Sequence, residues 1–175
     1  MAERAYTVHK RRESEAHTPM PAPEFCERCG EMPNAGLLEG ISLFNQQEYF
    51  ACHEVLEDTW NVELGRKLSP YPLARTPDGR CANLYKGILQ VGVGCYHLLR
   101  GNYRGAMIKL QSGADYLEPF APACMRVDVA RLIADARRLR IAVAAAGPDS
   151  TTSVDRALLP LVRLVEIDDG SGNEA

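Results

Sequence analysis

The chain has 175 residues, 46% of them hydrophobic, with a formal net charge of -3. That length and apolar share suit one domain around one core rather than two. The acidic balance, with a sequence pI near 5.8, argues against a nucleic-acid partner, which calls for a basic surface. No run approaches the ~18 uninterrupted apolar residues of a membrane span, and the opening MAERAYTVHKRRESEAHTP lacks the apolar stretch of a secretory signal. The expectation is a cytoplasmic protein without a membrane segment.

In chain order, residues 1–34 mix charges with Pro19, Pro21, Pro23 and Pro33 and keep no hydrophobic period, so they read as a flexible tail. A helical domain follows over residues 35–147. Residues 148–175 read as a C-terminal segment and flexible tail, in which 154–165 is apolar enough to lie on the body.

Within the domain the spacing predicts five helices. Leu37, Leu38, Ile41 and Phe44 recur at helical intervals over residues 36–47. Over residues 48–64, Tyr49, Cys52, His53, Leu56, Thr59 and Trp60 share one face, while Glu54 and Asp58 point away. Pro70, Pro72 and Pro77 make a loop of residues 65–80.

The third helix, residues 81–100, has Leu84, Ile88, Val91, Cys95 and Leu98 on one side and Tyr85, Leu89 and Tyr96 on another. Only Lys86, Gln90 and His97 remain as a polar stripe, so this helix is expected to be central. Its glycines Gly87, Gly92 and Gly94 each disfavour a helix by about 1 kcal/mol, which calls for close helix approach or space for a ligand. Residues 102–117 make the fourth helix, ending before Pro119. The fifth, capped by Asp128, runs to Ala146 and is ended by Gly147 and Pro148.

A faint repeat matches Tyr49 with Tyr103 and Cys52 with Ala106, as if two helical hairpins were joined. The expected fold is all-α: a compact bundle of about five helices, built from two hairpins plus a capping helix.

His53, Glu54 and Glu57 form an HExxE pattern. The imidazole and second carboxylate sit one turn apart, as two ligands of a divalent metal do, and the intervening Glu54 is the candidate general base. A third ligand must come from elsewhere, and His97 is the natural donor. The plainer reading is a core histidine satisfied by a carboxylate or carbonyl, with Glu57 pairing a base such as Lys86.

Cys26-x-x-Cys29-Gly30 is half of a zinc arrangement and lacks its other two ligands. Cys52, Cys81 and Cys95 lie within apolar patterns and read as reduced core thiols. Tyr49, Trp60, Tyr85 and Tyr96 suit core packing more than a pocket, and Arg100, Arg104 and Lys109 suit a solvated face. No phosphate loop, nucleophile elbow or dinucleotide fingerprint is present.

The blocks FNQQEYFACHEVLEDTW and YKGILQVGVGCYHLLRGNYRGA resemble a bacterial, archaeal and plastid family catalogued as domain of unknown function number three hundred and nine. The agreement lies at Phe44, Asn45, Tyr49, Phe50, His53, Glu54, Glu57 and Trp60, then at Tyr85, Gly87, Gln90, His97, Gly101, Asn102, Gly105 and Ala106. It spans roughly residues 36–140. The resemblance implies an all-helical bundle and no established activity. The CxxC and the proline-rich loop look like local additions to the family pattern.

The resulting expectation is a buried polar cluster in which His53, Glu57 and Trp60 meet Lys86, Gln90 and His97. Such a cluster suits a non-catalytic binding or scaffolding domain that receives a small ligand or a protein partner. The alternative is a metal-dependent hydrolase, with a divalent metal on His53, Glu57 and His97 and Glu54 as base. Val55 and Val62, opposite the core face, suggest a homo-oligomer contact.

Overall fold

The computed structural model describes residues 29–63 and 81–165. The expectations for residues 1–28, for the proline-rich loop and for the last ten residues lie outside this range.

Among the described residues five α-helices form, each within two residues of its expected bounds: α1 Ala35–Asn45, α2 Tyr49–Glu63, α3 Ala82–Leu99, α4 Tyr103–Leu117 and α5 Val129–Ala146. Three begin on side-chain caps. Asn34 accepts from the Leu37 N–H, Asn102 from Gly105 and Asp128 from Arg131, each satisfying a donor that the first turn leaves without a partner. Gly147 ends α5 with φ 75°, a conformation that glycine enters without steric cost.

The protein is an all-α bundle with α3 at its centre, packed on α2 and α4. Beyond these, α1 lies on α2 and α5 on α4. Both apolar sides of α3 are covered: Leu84, Tyr85, Ile88, Leu89, Val91, Cys95 and Leu98 are all buried, although Tyr96 is exposed.

Its glycines are crossing points. A Cβ on Gly87 would lie 2.6 Å from Leu117 Cγ, and one on Gly113 would lie 2.8 Å from the Val91 backbone nitrogen. Close backbone approach, rather than room for a ligand, accounts for glycine here.

A two-residue hairpin, unforeseen in the sequence, joins α4 to α5. It pairs β1 Ala123–Cys124 with β2 Val127–Asp128. The C-terminal segment is docked: Asn45 exchanges two hydrogen bonds with the Val162 backbone, at 2.9 and 2.8 Å, and Val162 itself is buried.

The cysteine reading needs correction. Cys52 and Cys95 are free buried thiols, but Cys29 is disulfide-bonded to Cys124, 95 residues away. Cys81, buried as expected, is disulfide-bonded too. No local spacing announces such a pairing, because Cys124 reaches Cys29 only through the turn after α4. Val62 is also buried rather than outward-facing, which removes half of the oligomer argument.

Candidate functional site

The half-buried stripe of α3 carries Lys86, Gln90 and His97, at an angular spread of about 40° on an ideal helix. Around it the expected cluster divides into separate contacts.

The Lys86 ammonium lies between two rings, 5.1 Å from the centroid of Trp60 on α2 and 4.3 Å from that of Tyr116 on α4. Both distances fall in the range of cation–π attraction. No described carboxylate forms a salt bridge with Lys86, so the expected partnership with Glu57 is not made. One turn on, Gln90 Oε1 accepts from the Ser112 hydroxyl at 3.1 Å. Gln90 therefore keeps its amide N–H groups for another partner.

At the far end, Asn102 accepts from the Gly105 N–H through Oδ1, and its Nδ2 lies 3.1 Å from His97 Nδ1. With Asn102 oriented in this way its amide donates, so His97 Nδ1 accepts and Nε2 carries the proton. Burial holds the His97 pKa below the ordinary histidine value, and the nearby Lys109 charge adds to the effect. Two causes thus favour the neutral ring.

His53 and Glu57 do meet, with Nδ1 3.7 Å from Oε2. Their side chains are 27% and 48% exposed, so the pair is solvated rather than buried, and such pairs contribute little. Glu54 is exposed, as its helix angle required. Among the described residues no group of three or more His, Cys, Asp or Glu side chains is placed to hold a metal ion. His53, Glu57 and His97 therefore do not assemble: His53 lies beside Glu57 on α2, and His97 Nδ1 meets Asn102. Of the weaker pair, Cys29 is bonded to Cys124 and Cys26 lies outside the described residues.

Two features escaped sequence reasoning. Tyr85, fully buried, donates to Glu63 Oε1 at 3.1 Å and accepts from Asn34 Nδ2 at 2.7 Å. Glu63 is only 1% exposed. A carboxylate at the end of a helix, next to a proline-rich stretch of sequence, carries no sequence mark of burial, although a tyrosine on an apolar side of the central helix, in its first turn, was a hint that its hydroxyl needed a partner. The second feature is Tyr116, which sits on the polar side of α4 and completes the Lys86 enclosure.

Deeper inside, burial pushes the Cys52 and Cys95 thiols up to about 12. The Tyr49 hydroxyl near them is raised as well, first by burial and then by Cys95. Among the described residues the Cys95 thiol is its polar neighbour, and no oxygen or nitrogen lies within hydrogen-bond distance in good geometry. Groups so reluctant to ionise suit packing rather than nucleophilic chemistry.

Among the described residues no helix is long and apolar enough to cross a membrane. Residues 37–108 match the family described as a domain of unknown function, DUF309. No curated protein and no solved structure matches the chain.

Proposed function

We propose that this chain, whose residues 37–108 match the DUF309 family, is a non-catalytic binding protein. It receives a carboxylate-bearing segment of a partner along the polar stripe of α3. The observation that carries this reading is the enclosure of Lys86 between Trp60 and Tyr116 with no carboxylate bonded to it among the described residues. The rings restrict the long side chain before any partner arrives, so less side-chain entropy is lost on binding.

Donors extend the stripe. Gln90 has amide N–H groups beyond its bond to Ser112, and His97 in its Nε2–H form adds another N–H. From Lys86 to His97 the stripe runs about 16 Å, the span of roughly five extended residues. Glu57 borders the α2 side but is engaged with His53.

The test is a titration of isotope-labelled protein with hexaglutamate, with hexalysine as control, followed by amide NMR shifts. Shifts should centre on Lys86, Gln90 and the Trp60 indole, and they should weaken with salt. Lys86→Gln should weaken binding at least about tenfold, the loss of one charge-assisted bond. Unmoved resonances at millimolar peptide, or equal affinity in Lys86→Gln, would defeat the proposal.

A further inference from the structure

We propose that the partner segment carries two carboxylates about 10 Å apart, one held by Lys86 on α3 and the other by Lys109 on α4. The proposal rests on the α3 stripe being the binding surface and specifies the class of ligand that the surface takes.

Two half-buried rows flank the seam between α3 and α4: Lys86, Gln90, Val93 and His97 on α3, and Gly105, Lys109, Ser112 and Tyr116 on α4. Steps of three and four residues keep each row on one side of its helix. Three contacts set the helices antiparallel and fix the register of the rows. The Lys86 ammonium lies 4.3 Å from the Tyr116 ring centroid, the Ser112 hydroxyl donates to Gln90 at 3.1 Å, and a Cβ on Gly105 would stand 2.6 Å from His97 Cγ.

Lys109 therefore falls between Ser112 and Gly105, in the part of the seam that holds Val93 and His97. Its charge is one cause of the lowered His97 pKa, in keeping with that place. Seven residues separate Lys109 from Tyr116, which makes two helical turns and about 10 Å. The seam thus presents two cations at that separation, with the Gln90 amide between them.

Among the described residues neither lysine forms a salt bridge, and the carboxylates nearest them on α4 are engaged elsewhere. Asp115 accepts from Gln111 at 2.7 Å, and Glu118 pairs with Arg137. A single carboxylate neutralises one of the two cations. A ligand with two at the matching spacing neutralises both, because its second contact forms within the complex and needs no further encounter.

The spacing also selects a backbone. In a strand, residues i and i+3 point to opposite faces. In a polyproline-type extended segment they share a face about 9 Å apart. The fitting ligand is therefore an acidic residue, two intervening residues and a second acidic residue in the polyproline conformation, with Val93 as an apolar seat for the intervening pair.

The experiment titrates the isotope-labelled full chain with capped Glu-Pro-Pro-Glu, Glu-Pro-Pro-Gln and Glu-(Pro)5-Glu, followed by amide and histidine-ring NMR shifts. Two prolines place the carboxylates about 9 Å apart and five about 19 Å apart, on one face in both peptides. Glu-Pro-Pro-Glu should bind at least about tenfold more tightly than either of the others, the gain of one charge-assisted bond, and should shift Gln90 and the His97 ring together. Lys109→Gln should bring the three peptides to equal affinity, with circular dichroism to check folding.

Equal affinity of Glu-Pro-Pro-Glu and Glu-Pro-Pro-Gln, or no binding of Glu-Pro-Pro-Glu where hexaglutamate binds, overturns the two-carboxylate ligand. If Lys86→Gln still weakens hexaglutamate, the binding function survives that failure. A tenfold advantage that persists in Lys109→Gln assigns the second carboxylate to another cation and overturns the role of Lys109. If hexaglutamate and the short peptides all leave the resonances unmoved, the binding function and its two-carboxylate ligand fall together.

Discussion

Gly113→Ala tests whether the α3–α4 glycines are there for packing. Helix propensity alone makes Gly to Ala stabilising by about 1 kcal/mol in a helix interior. At Gly113, however, the added Cβ would stand 2.7 Å from Val91 Cγ2, 2.8 Å from the Val91 backbone nitrogen and 3.1 Å from the Gly87 carbonyl oxygen. A methyl group of Val91 can give way only slightly, and its backbone cannot move without shifting α3 against α2.

Overpacking costs about 1–3 kcal/mol. A backbone clash belongs in the upper part of that range, so after the propensity gain the net loss is about 1–2 kcal/mol. Gly92 is the control. Its Cβ would meet Phe44 ring carbons at 3.3 Å, and a side chain can yield, so Gly92→Ala should be neutral or stabilising by up to about 1 kcal/mol. Urea unfolding by circular dichroism at a fixed redox state gives the midpoints at constant m. A Gly113→Ala midpoint at or above wild type would refute the reasoning, because propensity would then have outweighed contact.

Tyr85→Phe removes the donor to a buried carboxylate oxygen and should lower stability by about 1–3 kcal/mol; an unchanged urea midpoint would contradict the network. The His97 pKa is depressed in the folded state, so the unfolded chain takes up a proton first. Its contribution is present above the unfolded value near 6.5 and is lost as pH falls through the folded value. A histidine NMR titration should find His97 below about 6.5, and His97→Gln should flatten the acid side of the stability profile; titration at or above that value would disprove the tautomer argument. Asn45→Ala removes both bonds to Val162 and should speed amide exchange at Val162 and its neighbours while α3 amides stay protected. Unchanged exchange would mean that Val162 burial alone docks the segment.

Much of the fold was legible because helices are written locally. The 3.6-residue period located all five, and Asp128 with Gly147 marked the ends of α5. The outward direction of Glu54 followed from angle alone. The site was less legible, because a periodicity says which face a residue occupies and not what the facing helix presents. His53 and His97 were both on plausible faces, yet Glu57 and Asn102, each from its own neighbourhood, claimed them. Glu63 reads as a polar helix end, yet it is buried and accepts from Tyr85, 22 residues away.

By itself the amino-acid pattern determined an all-α bundle, the central place of α3, the polar stripe upon it and a CxxC in need of partners. Those properties rest on contacts between near neighbours in the chain or on the amount of apolar surface that must be covered. Tertiary structure alone decided that Lys86 lies between Trp60 and Tyr116, that Gly87 and Gly113 mark a helix crossing, and that Cys29 meets Cys124. Each of these joins residues whose separation in sequence carries no period, and only the packing of helices against one another brings them together.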